Sequence, residues 1–119
     1  MKVLVVEDED ILRSLWVEVF EGAGHVVHAA ADATGARLLL MGGSYDVVVL
    51  DLHLGEESGL SVATLATYAN PDCKVVMITG SGLFAKGELF EIAPSVAAVL
   101  RKPVGIDELL AISEHNAMA

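Results

Sequence analysis

Basic residues are scarce. Seven Lys and Arg stand against 17 Asp and Glu, a formal charge of −10. A nucleic-acid surface needs a Lys/Arg patch to displace phosphate counterions, and seven scattered cations make none. An acidic surface favours solubility and basic partners. Cysteine occurs once, as Cys73, so no internal disulfide can form. At the start of a strand it reads as a small core residue. No apolar run approaches the roughly 20 residues needed to cross a bilayer. Met1-Lys-Val-Leu-Val-Val meets Glu7-Asp8-Glu9-Asp10 too soon for a signal peptide. The expectation is a cytoplasmic protein that binds neither nucleic acid nor membrane. Repeats, linkers and low-complexity tracts are missing too, so residues 1–119 read as one domain, long enough to bury a core.

More than half of the residues are apolar, arranged as short Val-rich runs between stretches of helical periodicity, the pattern of an α/β sheet protein. The run Asp46-Val-Val-Val-Leu-Asp51-Leu52 reads as a strand buried on both faces and ending in a carboxylate. Strands are also expected at 2–6, 25–29, 73–78 and 95–100. Helices are expected after Asp10, with Ile11, Leu12, Leu15, Val19 and Phe20 as its apolar stripe, and from the cap Asp32 to Met41. Three more are expected over 60–68, 80–93 and 105–115. The one over 80–93 is the weakest, because an interior Gly such as Gly87 costs about 0.8–1 kcal/mol relative to Ala. Five β-α units with short connections imply right-handed crossovers and a doubly wound, flavodoxin-like five-stranded parallel sheet of order 2-1-3-4-5 with five helices. In that order the ligand crevice lies where strands 1 and 3 diverge, at their C-terminal ends.

Glu7, Asp8 and Asp51 stand at those two ends. Three carboxylates brought together raise each other's pKa unless a cation sits among them. Oxygen ligands with several positions left for water suit Mg²⁺, whereas Zn²⁺ would want His or Cys beside the acids. Thr79 and Lys102, at the ends of strands 4 and 5, reach the same crevice and add a hydroxyl donor and a compact cation. A divalent ion, an ammonium and a hydroxyl around one carboxylate form a receptor for a phosphoryl group, with Asp51 as the nucleophile.

In sequence, Val5-Val-Glu7-Asp8-Glu9, Asp51-Leu-His-Leu-Gly-Glu-Glu-Ser-Gly59, Ile78-Thr79-Gly80 and Leu100-Arg-Lys102-Pro103 resemble, across the whole chain, the response-regulator receiver family of two-component signalling, the CheY-like domains. The resemblance implies that Asp51 is the phospho-acceptor. It implies that Asp8 and Asp51 bind Mg²⁺ directly, that Glu7 assists, and that the backbone carbonyl of His53 is a further ligand. Thr79 and Lys102 match the phosphate-sensing hydroxyl and lysine, and a cis bond is usual before a proline in the position of Pro103. The implied function is a stand-alone switch that takes its phosphoryl group from a histidine kinase or histidine phosphotransfer protein. It would catalyse only its own phosphorylation and dephosphorylation, and would change its binding to a downstream target protein through the fourth helix, fifth strand and fifth helix.

Two positions depart from the pattern. Val99 stands where many receivers carry an aromatic residue, so a relay through that side chain is ruled out and the signal is expected to travel through 80–93. Gly55 stands where a proline is common. Two alternatives are a flavin-binding electron carrier of the same sheet order and a degenerate receiver that only scaffolds. The first needs a Ser/Thr/Gly-rich phosphate loop after strand 1, where this chain has Glu7-Asp8-Glu9-Asp10. His25, His28 and His115 read as turn or surface residues, His53 as an edge of the pocket mouth, and Trp16 and Phe20 as packing.

Overall fold

The computed structural model describes residues 1–80 and 93–118. In chain order the elements are β1 (Lys2–Val6), α1 (Asp10–Gly22), β2 (Val26–Ala30), α2 (Ala33–Gly42), β3 (Val47–Asp51), β4 (His53–Leu54), β5 (Glu57–Ser58), α3 (Gly59–Ala69), β6 (Lys74–Thr79), β7 (Val96–Arg101) and α4 (Ile106–Ala117). Five strands form a parallel sheet of order β2-β1-β3-β6-β7, the expected 2-1-3-4-5 arrangement. The expected count of five helices is corrected to four among the described residues. The helix expected over 80–93 lies almost wholly outside the described residues, and it was the stretch whose glycines weakened the helical signal most.

The sheet is covered on both faces, and alternation along each strand decides which side chain goes where. Leu4, Val6, Val48, Leu50, Val75 and Met77 face α2 and α3, packing on Ala33, Ala36, Leu40, Val62, Ala63 and Ala66. Val3, Val5, Val47, Val49, Val76 and Ile78 face α1 and α4, packing on Trp16, Phe20 and Leu109. All five residues of β3 are buried, as its unbroken apolar run requires.

Three local readings are revised. The inward stripe of α1 runs through Leu12, Trp16 and Phe20, whereas Ile11 and Leu15 face outward, Ile11 being 81% exposed. The bulkiest side chain on the helix, Trp16, set its rotation. The helix expected after Asp10 begins at Asp10 itself with Glu9 at the N-cap, and Asp10 binds Arg13 at 2.6 Å within the first turn. Asp32 does cap α2, accepting the Gly35 amide at 2.7 Å. After β3, where no further strand is expected before the helix over 60–68, lies a small antiparallel hairpin, His53 opposite Ser58 and Leu54 opposite Glu57. Its two-residue turn begins at Gly55, φ +62°, a conformation costly for any residue with a Cβ.

A candidate phosphoryl site with three carboxylates

Parallel neighbours bring residues far apart in sequence to one edge. Val6 pairs with Leu50 and Asp51 with Ile78, so Glu7, Asp51 and Thr79 all leave the sheet at the same end. Arg101 is paired with Thr79, and the next amide, of Lys102, donates to the Thr79 carbonyl at 2.9 Å. The Lys102–Pro103 peptide is cis.

From there the Lys102 ammonium reaches both acids, 2.7 Å from Asp51 Oδ2 and 3.2 Å from Glu7 Oε1. Asp51 Oδ1 accepts the backbone amide of His53 at 2.9 Å. Asp8, exposed, accepts the Gly55 amide at 3.0 Å through Oδ2. Arg13 on α1 donates to the Glu7 carbonyl at 3.0 Å, fixing the backbone between the two β1 acids and the helix. Thr79 is buried at the end of β6. His53 is exposed. His25 and His28 instead have specific partners: His25 lies 2.8 Å from Glu114 and His28 2.8 Å from the Tyr45 hydroxyl.

Burial and charge divide the three carboxylates. Burial, then the hydrogen bond and charge of Asp51, push the Glu7 carboxyl up to about 8, with Lys102 only partly opposing. Burial would raise Asp51 as well, but hydrogen bonds from Glu7, Lys102 and the His53 amide outweigh it and hold Asp51 below the usual carboxylate value. Burial would lower Lys102, and its bonds to Asp51 and Glu7 raise it instead. The result is an ionised Asp51 flanked by a protonated Glu7 and a charged Lys102.

One oxygen each from Glu7, Asp8 and Asp51 lies within 4.8 Å of the others. Glu7 Oε2 is fully buried and receives no hydrogen bond from any described residue. A buried carboxylate oxygen without a donor is costly unless it meets a proton or a cation. The trio therefore fits a divalent metal, and all-oxygen donors suit a hard ion.

Sequence reasoning did not find three contributors: the Gly55 amide on Asp8, the Arg13 clamp on the Glu7 carbonyl, and Gly59. A Cβ at Gly59 would collide with the Asp51 carbonyl oxygen and come within 3.0 Å of the Leu52 Cα. A glycine opening a helix was the only available signal for the last of these.

Known proteins resemble this chain in sequence and in fold. The chain is 34% identical over 110 residues to the regulatory protein VirG of Agrobacterium fabrum, spanning 43% of that protein's length. It is 29% identical over 109 residues to the response regulator receiver protein CpdR of Brucella abortus, spanning 90% of it. A solved response regulator from Burkholderia pseudomallei, with a phosphorylated aspartic acid, calcium ion and citrate, superposes with a TM-score of 0.81 at 26% identity, covering 98% of this chain and 68% of that one. Among the described residues no helix is long and apolar enough to cross a membrane. The model of the response regulator receiver domain matches residues 3–114. The chain therefore belongs to the receiver family of two-component signalling, the CheY-like domains that accept a phosphoryl group on an aspartate.

Proposed function

We propose that Asp51 is the phospho-acceptor of this receiver, and that Glu7, Asp8 and Asp51, with the His53 carbonyl, hold Mg²⁺. The observation that carries this reading is the Lys102 ammonium 2.7 Å from Asp51, set beside an acidic trio able to take a cation. Bound there, Mg²⁺ would supply positive charge to the phosphoryl oxygens.

The chain's own groups do the rest. Asp51 is kept ionised by Lys102 and the His53 amide, so it is a competent nucleophile at neutral pH. A carboxylate oxygen attacks the phosphorus of a phosphohistidine on a histidine kinase or phosphotransfer protein. The P–O bond forms as the P–N bond breaks, and the leaving imidazole keeps the electron pair and takes up a proton. Lys102 and the Thr79 hydroxyl then hold phosphoryl oxygens, which carry the charge of a loose transition state. Attack by water on phosphorus restores Asp51 and releases phosphate.

The domain acts as a cytoplasmic switch. The two states differ at the junction of β7 and α4, which carries Lys102, and a downstream target protein reads that difference. Acetyl phosphate with Mg²⁺, followed by intact-mass spectrometry, tests the assignment. Wild type gains one phosphoryl group, and the gain is lost in Asp51→Asn and in EDTA. Equal modification of both forms would mean a different acceptor.

A further inference from the structure

The turn after Asp51 carries a contact that the phosphorylation reading does not use. Gly55 opens the β4–β5 hairpin with φ +62°, and its amide donates to Asp8 Oδ2 at 3.0 Å. Among the described residues only Gly24 and Gly55 have positive φ, so the second turn residue, Glu56, is ordinary. Positive φ at the first turn position alone is the pattern of a type II′ hairpin turn. That geometry aims the first turn amide away from the hairpin ladder, and here it points across to the end of β1. A Cβ on Gly55 would meet nothing within 4 Å, so crowding does not account for glycine at this position.

Asp8 is the exposed member of the acidic trio, and without an anchor its carboxylate would rotate freely in solvent. A carboxylate has about four lone-pair positions, so accepting one amide at Oδ2 leaves Oδ1 available as a ligand. We propose that Gly55 is a positioning residue for the metal site: its amide tethers Asp8 in the orientation in which Asp8 ligates the cation, so that part of the ordering cost is met before the ion arrives. This inference rests on the metal-site reading above. Both properties it needs, a free N–H and positive φ, are ones proline lacks. The hairpin is braced from the other side by Arg37 on α2, 3.8 Å from Glu57.

The sharpest test deletes the hydrogen-bond donor and leaves the turn. Replacing the Leu54–Gly55 amide with an ester does this, and Cys73 offers a junction for assembling the chain from synthetic and recombinant pieces. Calorimetric titration with Mg²⁺ alone should show binding about three- to tenfold weaker than wild type, as expected for one exposed, charge-assisted hydrogen bond. Unchanged or tighter binding overturns the tether. A second measurement needs no metal. In EDTA the Gly55 amide should exchange with solvent more slowly in wild type than in Asp8→Ala, and equal exchange overturns the proposal even where the ester folds poorly. Failure of wild type to bind Mg²⁺ would sink the metal-site reading and leave the exchange result to judge the tether.

Discussion

Gly59→Ala adds one methyl group at the first residue of α3, where there is no room for it. The new Cβ would overlap the Asp51 carbonyl oxygen and crowd the Asp51 carbonyl carbon at 3.1 Å and the Leu52 Cα at 3.0 Å. All three are backbone atoms, so no rotamer change relieves the contact. The backbone itself is pinned, because the Leu52 amide donates to the Ile78 carbonyl at 2.8 Å and the Gly59 amide to the Leu52 carbonyl at 2.6 Å. Overpacking of this kind costs about 1–3 kcal/mol. Losing the Gly59–Leu52 bond adds about 1 kcal/mol. Against this, alanine gains about 0.4–1 kcal/mol by restricting the unfolded chain. The net expectation is a loss of roughly 1–3 kcal/mol, read by urea unfolding in EDTA. Because the clash lies on Asp51 and Leu52, Mg²⁺ affinity should fall as well. Gly22→Ala is the control: it makes the same chemical change at the end of α1, where a Cβ meets nothing within 4 Å, and it should be neutral or stabilising. If both variants unfold within 0.5 kcal/mol of wild type (a difference surface substitutions commonly give), the close approach of α3 to Asp51 is wrong.

Three further outcomes are expected. Lys102→Met leaves Asp51 and Glu7 without their ammonium. Because Lys102 is partly exposed, the stability cost at pH 7 should be only about 1–2 kcal/mol. The same variant should bind Mg²⁺ more tightly and accept phosphoryl groups more slowly, and weaker Mg²⁺ binding in calorimetry would contradict the competition between the two cations. Folding raises the Glu7 pKa from 4.5 to about 8, so the folded chain keeps a proton that the unfolded chain releases. That contribution is complete below pH 4.5 and is lost as pH rises to about 8, with a slope of up to about 1.4 kcal/mol per pH unit. In EDTA, Glu7→Gln should flatten this part of the stability profile, and an unchanged slope would refute the assignment. Burial pushes the Cys73 thiol up to about 11, so a disulfide reagent at pH 8 should label it promptly in urea and very slowly in the native protein.

The parts legible in the sequence were those set by long patterns. An unbroken apolar run placed Val47 to Leu50 at the centre of the sheet, and short connections then fixed strand order and hence the edge where Glu7, Asp51, Thr79 and Lys102 emerge. Contacts that depend on rotation or turn geometry were not legible. The α1 stripe was misread because Ile11 and Leu15 have the same periodicity as Leu12 and Trp16, and only packing of the indole chooses between the two faces. The β4–β5 hairpin is two residues per strand, too short for alternation to register, so its turn amide on Asp8 went unseen. His25 lacked any sequence neighbour to suggest Glu114, 89 residues away.

The same wiring indicates how a change at Asp51 could leave the site. Glu7, Asp8 and Asp51 carry three negative charges when ionised, against one on Lys102, and the proton on Glu7 removes part of that excess. On the proposed assignment, phosphorylation would replace the single charge of Asp51 with a group of about −2. Lys102 would follow the new charge outward, because its present 2.7 Å contact is to the carboxylate proposed to become an acyl phosphate. Its backbone cannot follow independently: the Lys102 amide is bonded to the Thr79 carbonyl, one residue before Gly80. A pull on the ammonium is thus shared between the ends of β6 and β7. Val99 stays out of this path, since it packs half-buried on the α2–α3 side of the sheet and has no polar group with which to answer a phosphate.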